Sequence, residues 1–161
     1  MTNLDHVINH IRNRSYMSGV DREKVRIKAT GEVFTPTEVA QRMLNTLDQS
    51  IFQDTVKTII DNSCGDGQLL GEALIRKMEN GSTFEQALST VYGVDLMQDN
   101  VDECRKRLLC GREDLQHIVE QNIVCADALR YHYRFDDSPP YDDEVAAAEF
   151  SNRFNNMFTF E

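Results

Sequence analysis

IIDNSCGDGQLL, residues 59–70, sets three kinds of sequence end to end. The β-rich run TVKTIID (55–61) ends in an acid, Asp61, and NSCGDG follows with Gly65 and Gly67. Leu69, Leu70, Ala73, Leu74 and Met78 then recur at helical spacing. Strand, glycine turn and helix in that order open a βαβ unit. The glycines permit positive φ and close backbone approach, so a ligand can lie against the turn and the helix N-terminus. A phosphate-binding GxGxxG is not met, because Leu70 stands at its third glycine and Asp66 would repel a pyrophosphate.

The pattern repeats downstream. Ser82 and Glu85 are spaced as a capping box before a short helix, and TVYGVDL (90–96) reads as a buried strand ending in Asp95. Residues 99–109 predict a helix with Val101, Cys104 and Leu108 on one side, and NIVCADAL (122–129) a third strand terminating in Asp127. Three strands alternating with helices, each closed by a carboxylate, predict an α/β fold. Its sheet is parallel and carries ligand groups along one edge. In such a fold an acid ending the second strand can accept both hydroxyls of a ribose, which assigns that role to Asp95. Asp127, with Ala128 beside it, can accept from the amino group of an adenine. With the glycine turn in sequence order before them, the two acids describe an adenosine pocket.

Upstream, Leu4, Val7, Ile8 and Ile11 predict a short amphipathic helix, and residues 12–32 read as a polar connector. GEVFTP (31–36) then fixes a helix start: Thr35 as N-cap, Pro36 at the first helical position and Glu38 completing a capping box. Val39, Ala40, Met43, Leu44 and Leu47 would form its apolar stripe. The organisation expected is an N-terminal helix and connector over 1–30, a Rossmann-like domain over 31–135 and an acidic tail over 136–161.

At 161 residues, with 40% hydrophobic, the chain suffices for one compact domain. No apolar run approaches the roughly 18 residues that span a bilayer, and MTNLDHVINH lacks the pattern of a signal peptide. The expectation is a soluble cytoplasmic protein without membrane contact. Cys64, Cys104, Cys110 and Cys125 form no CxxC pair, which points to reduced, mostly buried thiols rather than a zinc site or disulfides. The net charge of −10 argues against a free-standing nucleic-acid binder, since phosphate contacts need clustered Lys and Arg. The acidity is concentrated late: residues 1–50 carry 7 basic and 6 acidic side chains, residues 127–161 carry 3 and 8.

GEVFTP, IIDNSCGDGQLL, VYGVDL and IVCADAL, in this order over about residues 28–129, resemble the class I S-adenosylmethionine-dependent N6-adenine DNA methyltransferases. The likeness is particularly to the modification subunits of type I restriction systems and their single-chain relatives. The resemblance implies a Rossmann-like class I methyltransferase fold, shortened in its C-terminal half, with S-adenosylmethionine as cofactor and no metal. It implies that Thr35 and Pro36 line the methionine end of the cofactor, flanked by Asp61, Cys64, Gly65 and Gly67. Asp95 and Leu96 would hold the ribose side, and Asp127 and Ala128 the adenine. Asn62-Ser63 and Asp66 depart from the family's usual D-P-x-C-G-[ST]-G.

Ser138-Pro139-Pro140-Tyr141 fits the family's catalytic pattern [DNS]-P-P-[YFW]: a polar acceptor and a proline-fixed carbonyl for an exocyclic amine, and a ring to stack on a flipped base. The apolar strand that normally precedes it is replaced by FDD, and the family's later strands and target-recognition region have no counterpart. DNA contact would then be weak or through a partner subunit, and a protein partner or a homo-oligomer is a separate expectation. The rival expectation is a catalytically inactive relative that works by binding or regulation, a restriction-modification system being one target.

Overall fold

The structure, a computed structural model, describes residues 3–13 and 35–136. The chain divides into two units, Met1–Arg130 and Tyr131–Glu161. In the first, α1 (Leu4–Arg12) is followed by α2 (Thr37–Asn45), the single turn α3 (Ser50–Gln53), β1 (Ile59–Asp61) and α4 (Gln68–Glu79). Then come α5 (Phe84–Ser89), β2 (Val91–Asp95), α6 (Gln98–Leu109), a 3₁₀ turn (Glu113–Leu115), α7 (Gln116–Asn122) and β3 (Ile123–Cys125). The strands form one parallel sheet in the order β1-β2-β3, with Asp61 opposite Gly93 and Asp95 opposite Cys125. This is the Rossmann-like arrangement expected from the alternation of strands and helices.

Helix α4 is the hub, packing on α1, α2, α5 and α6 and on both β1 and β2. Leu70, Ala73, Leu74 and Ile75 are buried together with Val91 of β2 and Val101, Cys104 and Leu108 of α6. Apolar burial of this kind drives the fold at roughly 25 cal/mol per Å². Helix α1 joins the same core through Val7 and Ile11. Ile11 reaches α4 at Gly71, where a Cβ would stand only 2.7 Å from Ile11 Cγ2. Beside this contact Arg12 donates to both carboxylate oxygens of the buried Glu72, at 2.9 and 2.8 Å, and Gln41 Nε2 of α2 donates to the same carboxylate at 3.0 Å. One acid therefore fastens two helices to α4, and its own burial is offset by charge-assisted hydrogen bonds.

Three local expectations shift. Helix α2 begins one residue later than its sequence suggests: Pro36 is the N-cap, its carbonyl accepting from Val39 and Ala40, and its own side chain makes no cap hydrogen bond. The Thr35–Glu38 capping box is absent because Pro36 stays extended at φ −60°, ψ 150°. The stripe is narrower too, with Ala40 and Leu44 buried while Met43 and Leu47 are exposed.

The box before α5 is formed by Thr83 and Gln86, not Ser82 and Glu85. Ser82 is used in ending α4: its N–H donates to Lys77 O and the Gly81 N–H to Met78 O, with Gly81 at φ +102°. Its place is thus the last residue of a Schellman-type stop.

Strand β1 holds only Ile59–Asp61 of the expected 55–61. The residues before it are drawn into a bend by the buried Lys77, whose Nζ donates to Ile51 O (3.1 Å), Asp54 O (3.3 Å) and Lys57 O (2.6 Å). Asp54 Oδ1 also accepts from Val56 N, an Asx turn incompatible with a ladder. Strand β3 likewise ends at Cys125, so Asp127 sits two residues beyond it. Cys64, Cys104 and Cys110 are buried thiols as expected, but Cys125 is exposed.

In the second unit, the Tyr131 hydroxyl donates to Arg134 O at 2.7 Å, and the Tyr131 ring meets Tyr133 and Phe135 edge-on. Ser138 to Tyr141 lie outside the described residues, as do Gly31 to Phe34. Among the described residues no helix is long and apolar enough to cross a membrane.

Candidate functional site

Asp61 and Asp95 leave adjacent parallel strands at the same edge of the sheet, the place where α/β folds bind ligands. Between them lies the glycine turn. Cys64 N–H extends the β1–β2 pairing to Val94 O, and Gly67 N–H closes a tight turn on Cys64 O at 2.8 Å. Gly65 at φ +52° and Gly67 at φ +85° take the left-handed conformations for which glycine is suited. At Gly67 there is a second reason: a Cβ would lie 2.7 Å from Cys104 Sγ. The turn is thus pressed against α6.

The side chain of Cys64 points away from the open edge, into the core, where its Sγ would be 2.9 Å from a Cβ placed on Gly93. A hydrogen bond with Cys104 and burial both push its thiol pKa well up, so it is inert as a nucleophile. Of Cys64, only the backbone is available to a ligand at the turn.

Asp66 also faces inward. Its carboxylate Oδ2 lies 3.0 Å from Arg107 Nη1 of α6, with side chains only 5% and 3% exposed, and Arg107 Nη1 also approaches Asp66 O at 3.3 Å. The repulsion toward an anionic ligand expected of an acid in this turn is therefore cancelled by a cation that sequence spacing does not reveal.

Asp95 is held by three donors. Oδ2 accepts from Gly65 N at 3.0 Å, and Oδ1 accepts from Met97 N at 2.9 Å and from Asn100 Nδ2 at 3.1 Å. Leu96, next to it, is 62% exposed. Ala126 N–H donates to Asp95 O, which brings the segment carrying Asp127 and Ala128 beside the end of β2. Asp127 itself is exposed; its Oδ1 accepts from Leu129 N, and Arg130 Nε stands 3.7 Å from its Oδ2. On the other side of the turn, Gln68 Nε2 donates to Thr37 Oγ1 at 2.8 Å, tying the start of α4 to the start of α2 and so bringing Pro36 to the glycine turn. Asp61, the Gly65–Gly67 turn and Asp95 thus lie at one edge of the sheet, joined by single hydrogen bonds to the start of α2 and to the segment after β3.

With this geometry in view, comparison with known families is decisive: the family model described as N-6 DNA methylase matches residues 22–159. The chain belongs to the N-6 DNA methylase family. No curated protein and no solved structure matches it. As a member of this family the chain is a methyltransferase-like protein related to DNA N6 methylation. Its parallel sheet alternating with helices is the family's Rossmann-like fold.

Asn100, Arg107 and Gln68 were not found by sequence reasoning. Asn100 and Arg107 are buried polar residues adjoining the apolar Val101–Cys104–Leu108 face of α6, and polar groups there need partners. That adjacency was the available signal.

Asp61 has a testable electrostatic signature. Burial holds its carboxyl above the ordinary 3.8, opposed by the Ser63 N–H that donates to Oδ1 and reinforced by the charge of Asp95. A carboxyl whose pKa is higher in the folded than in the unfolded state stabilises the fold at low pH, and that stabilisation is lost as pH rises through the folded pKa. Asp61→Asn keeps the acceptor for Ser63 and removes the charge. Thermal melts are expected to show the variant more stable than wild type at neutral pH, with the gap closing below pH 3.8. A gap of constant size across that range would contradict burial as the cause.

Proposed function

We propose that this family member binds S-adenosylmethionine at the β1–β2 edge and serves adenine-N6 methylation of DNA. The observation that carries the reading is the convergence of Asp61, the Gly65–Gly67 turn and Asp95 on one edge, with the start of α2 tied to the turn through Gln68. The residues suit an adenosyl ligand: a carboxylate oxygen with spare acceptor capacity, an exposed Leu96 for an apolar ring face, and Gly65, beside whose Cα no described atom blocks close approach. Asp95 would take the ribose, Asp127 and Ala128 the adenine, and Thr35, Pro36, Asp61 and the backbone of Cys64, Gly65 and Gly67 the methionine end. The cofactor supplies an electrophilic methyl group on a sulfonium. The chain's own part is to hold it and to exclude competing water. Ser138, Pro139, Pro140 and Tyr141 are assigned to presenting the target amine.

The −10 charge bears on the partner. Without net positive charge the chain lacks the sequence-independent attraction of DNA-binding proteins, so duplex DNA is held weakly or through a partner subunit. The same acidity favours, as a second reading, a regulatory relative that keeps the cofactor pocket and acts through protein contacts.

Titration calorimetry with S-adenosylhomocysteine tests the pocket. Wild type is expected to bind, and Asp95→Ala to lose roughly 1–3 kcal/mol, as when hydrogen-bonding groups are left unmatched. Absence of heat and of thermal shift at millimolar ligand would overturn the reading.

A further inference from the structure

The donors already gathered on Asp95 limit what a ligand can ask of it. A carboxylate offers about four lone-pair sites, two on each oxygen. Oδ1 accepts from both Met97 N–H and the Asn100 amide, at 2.9 and 3.1 Å, and is full; Oδ2 accepts from Gly65 N–H at 3.0 Å and, among the described residues, retains one site. The donors are firmly placed. Met97 is the N-cap of α6, Asn100 is 1% exposed on its first turn, and Gly65 belongs to a turn closed by Gly67 N–H on Cys64 O. Breaking the Gly65 contact to free a second site would loosen that turn.

We propose that Asp95 reads a ribose through a single hydroxyl, at Oδ2, and that Asn100 is the positioning residue that keeps Oδ1 from taking the other. This rests on the cofactor reading above and refines its expectation that Asp95 holds both hydroxyls. Asn100 acts through Asp95 and touches no ligand. The consequence is a site tolerant of change at one ribose position and strict at the other.

The test uses S-adenosylhomocysteine and its 2′-deoxy and 3′-deoxy counterparts, titrated into the whole chain. One deoxy compound is expected to bind roughly tenfold or more weaker than the parent, the loss of one hydrogen bond to a charged acceptor, and the other within about threefold of it. Equal large losses for both, or no loss for either, would overturn the single-hydroxyl reading while leaving the pocket in place. Failure of the parent compound to bind removes the pocket, and this inference with it. In Asn100→Ala, checked for folding by its thermal melt, Oδ1 regains a site and the tolerated deoxy compound is expected to fall behind the parent. A uniform drop for all three ligands would reduce Asn100 to a packing role and overturn its assignment. The wild-type series decides the main point even if that variant does not fold.

Discussion

Arg107→Met is expected to destabilise the domain by about 3–5 kcal/mol, the loss typical of removing one partner from a buried ion pair. The Asp66 and Arg107 side chains are 5% and 3% exposed, so water cannot replace the guanidinium beside the carboxylate. The pair is not itself a large source of stability. Desolvating two charges consumes most of their attraction, and here Arg107 Nε finds no hydrogen-bond partner among the described residues. Asp66→Ser combined with Arg107→Met, which removes both charges, is therefore expected to recover most of the loss. Chemical denaturation of the two single variants and the double variant measures this directly. A double variant no more stable than Arg107→Met would mean that packing rather than charge holds α6 to the turn.

Gly67→Ala is the second large effect, with two separable parts. A non-glycine residue at φ +85° is strained by about 1–2 kcal/mol. The added methyl would also start 2.7 Å from Cys104 Sγ, a contact with a buried residue of a packed helix, and overpacking of this kind costs roughly 1–3 kcal/mol. Together they predict a loss of about 2–5 kcal/mol. Adding Cys104→Ala relieves the contact with sulfur and leaves the backbone strain, so Gly67→Ala should cost less in that background than in wild type. Equal costs in both backgrounds would assign the whole effect to the backbone. Gly65→Ala is the useful contrast: φ is +52° there, but among the described residues nothing lies within 4 Å of the new Cβ, so only strain remains.

These two positions also show what was legible in the chain. The alternation that makes a parallel sheet was readable because each strand is a compact apolar run and each helix repeats at its own period. Strand β2 and helix α6 fall within one residue of their expected limits, 91–95 against 90–96 and 98–109 against 99–109. The glycine turn was legible for the same reason, since Gly65 and Gly67 sit between a strand and a helix.

What failed was whatever depended on a distant partner. Asp66 looked like a charge facing a ligand because its cation lies 41 residues on. TVKTIID looked like seven residues of strand because nothing in it announces that Lys77 gathers carbonyls before and within it. The caps erred by one residue where two overlapping frames were both plausible. Thr83-Gln86 prevailed over Ser82-Glu85 because Ser82 was already engaged in ending α4. The site followed the same rule: its acids were visible at the strand ends, whereas Asn100, which orients one of them, acquires meaning only once α6 is folded against β2.

Lys77 has a consequence in coordination chemistry. Three backbone carbonyls, of residues 51, 54 and 57, converge on one ammonium at 2.6–3.3 Å, the arrangement by which many loops enclose a bound cation. Here the cation is attached to the chain. Its effective concentration is set by the helix that carries it and not by the medium, so dilution, chelators and changes of ionic composition cannot strip it. The approach to β1, and with it the placing of Asp61, is thereby independent of the metal content of its surroundings.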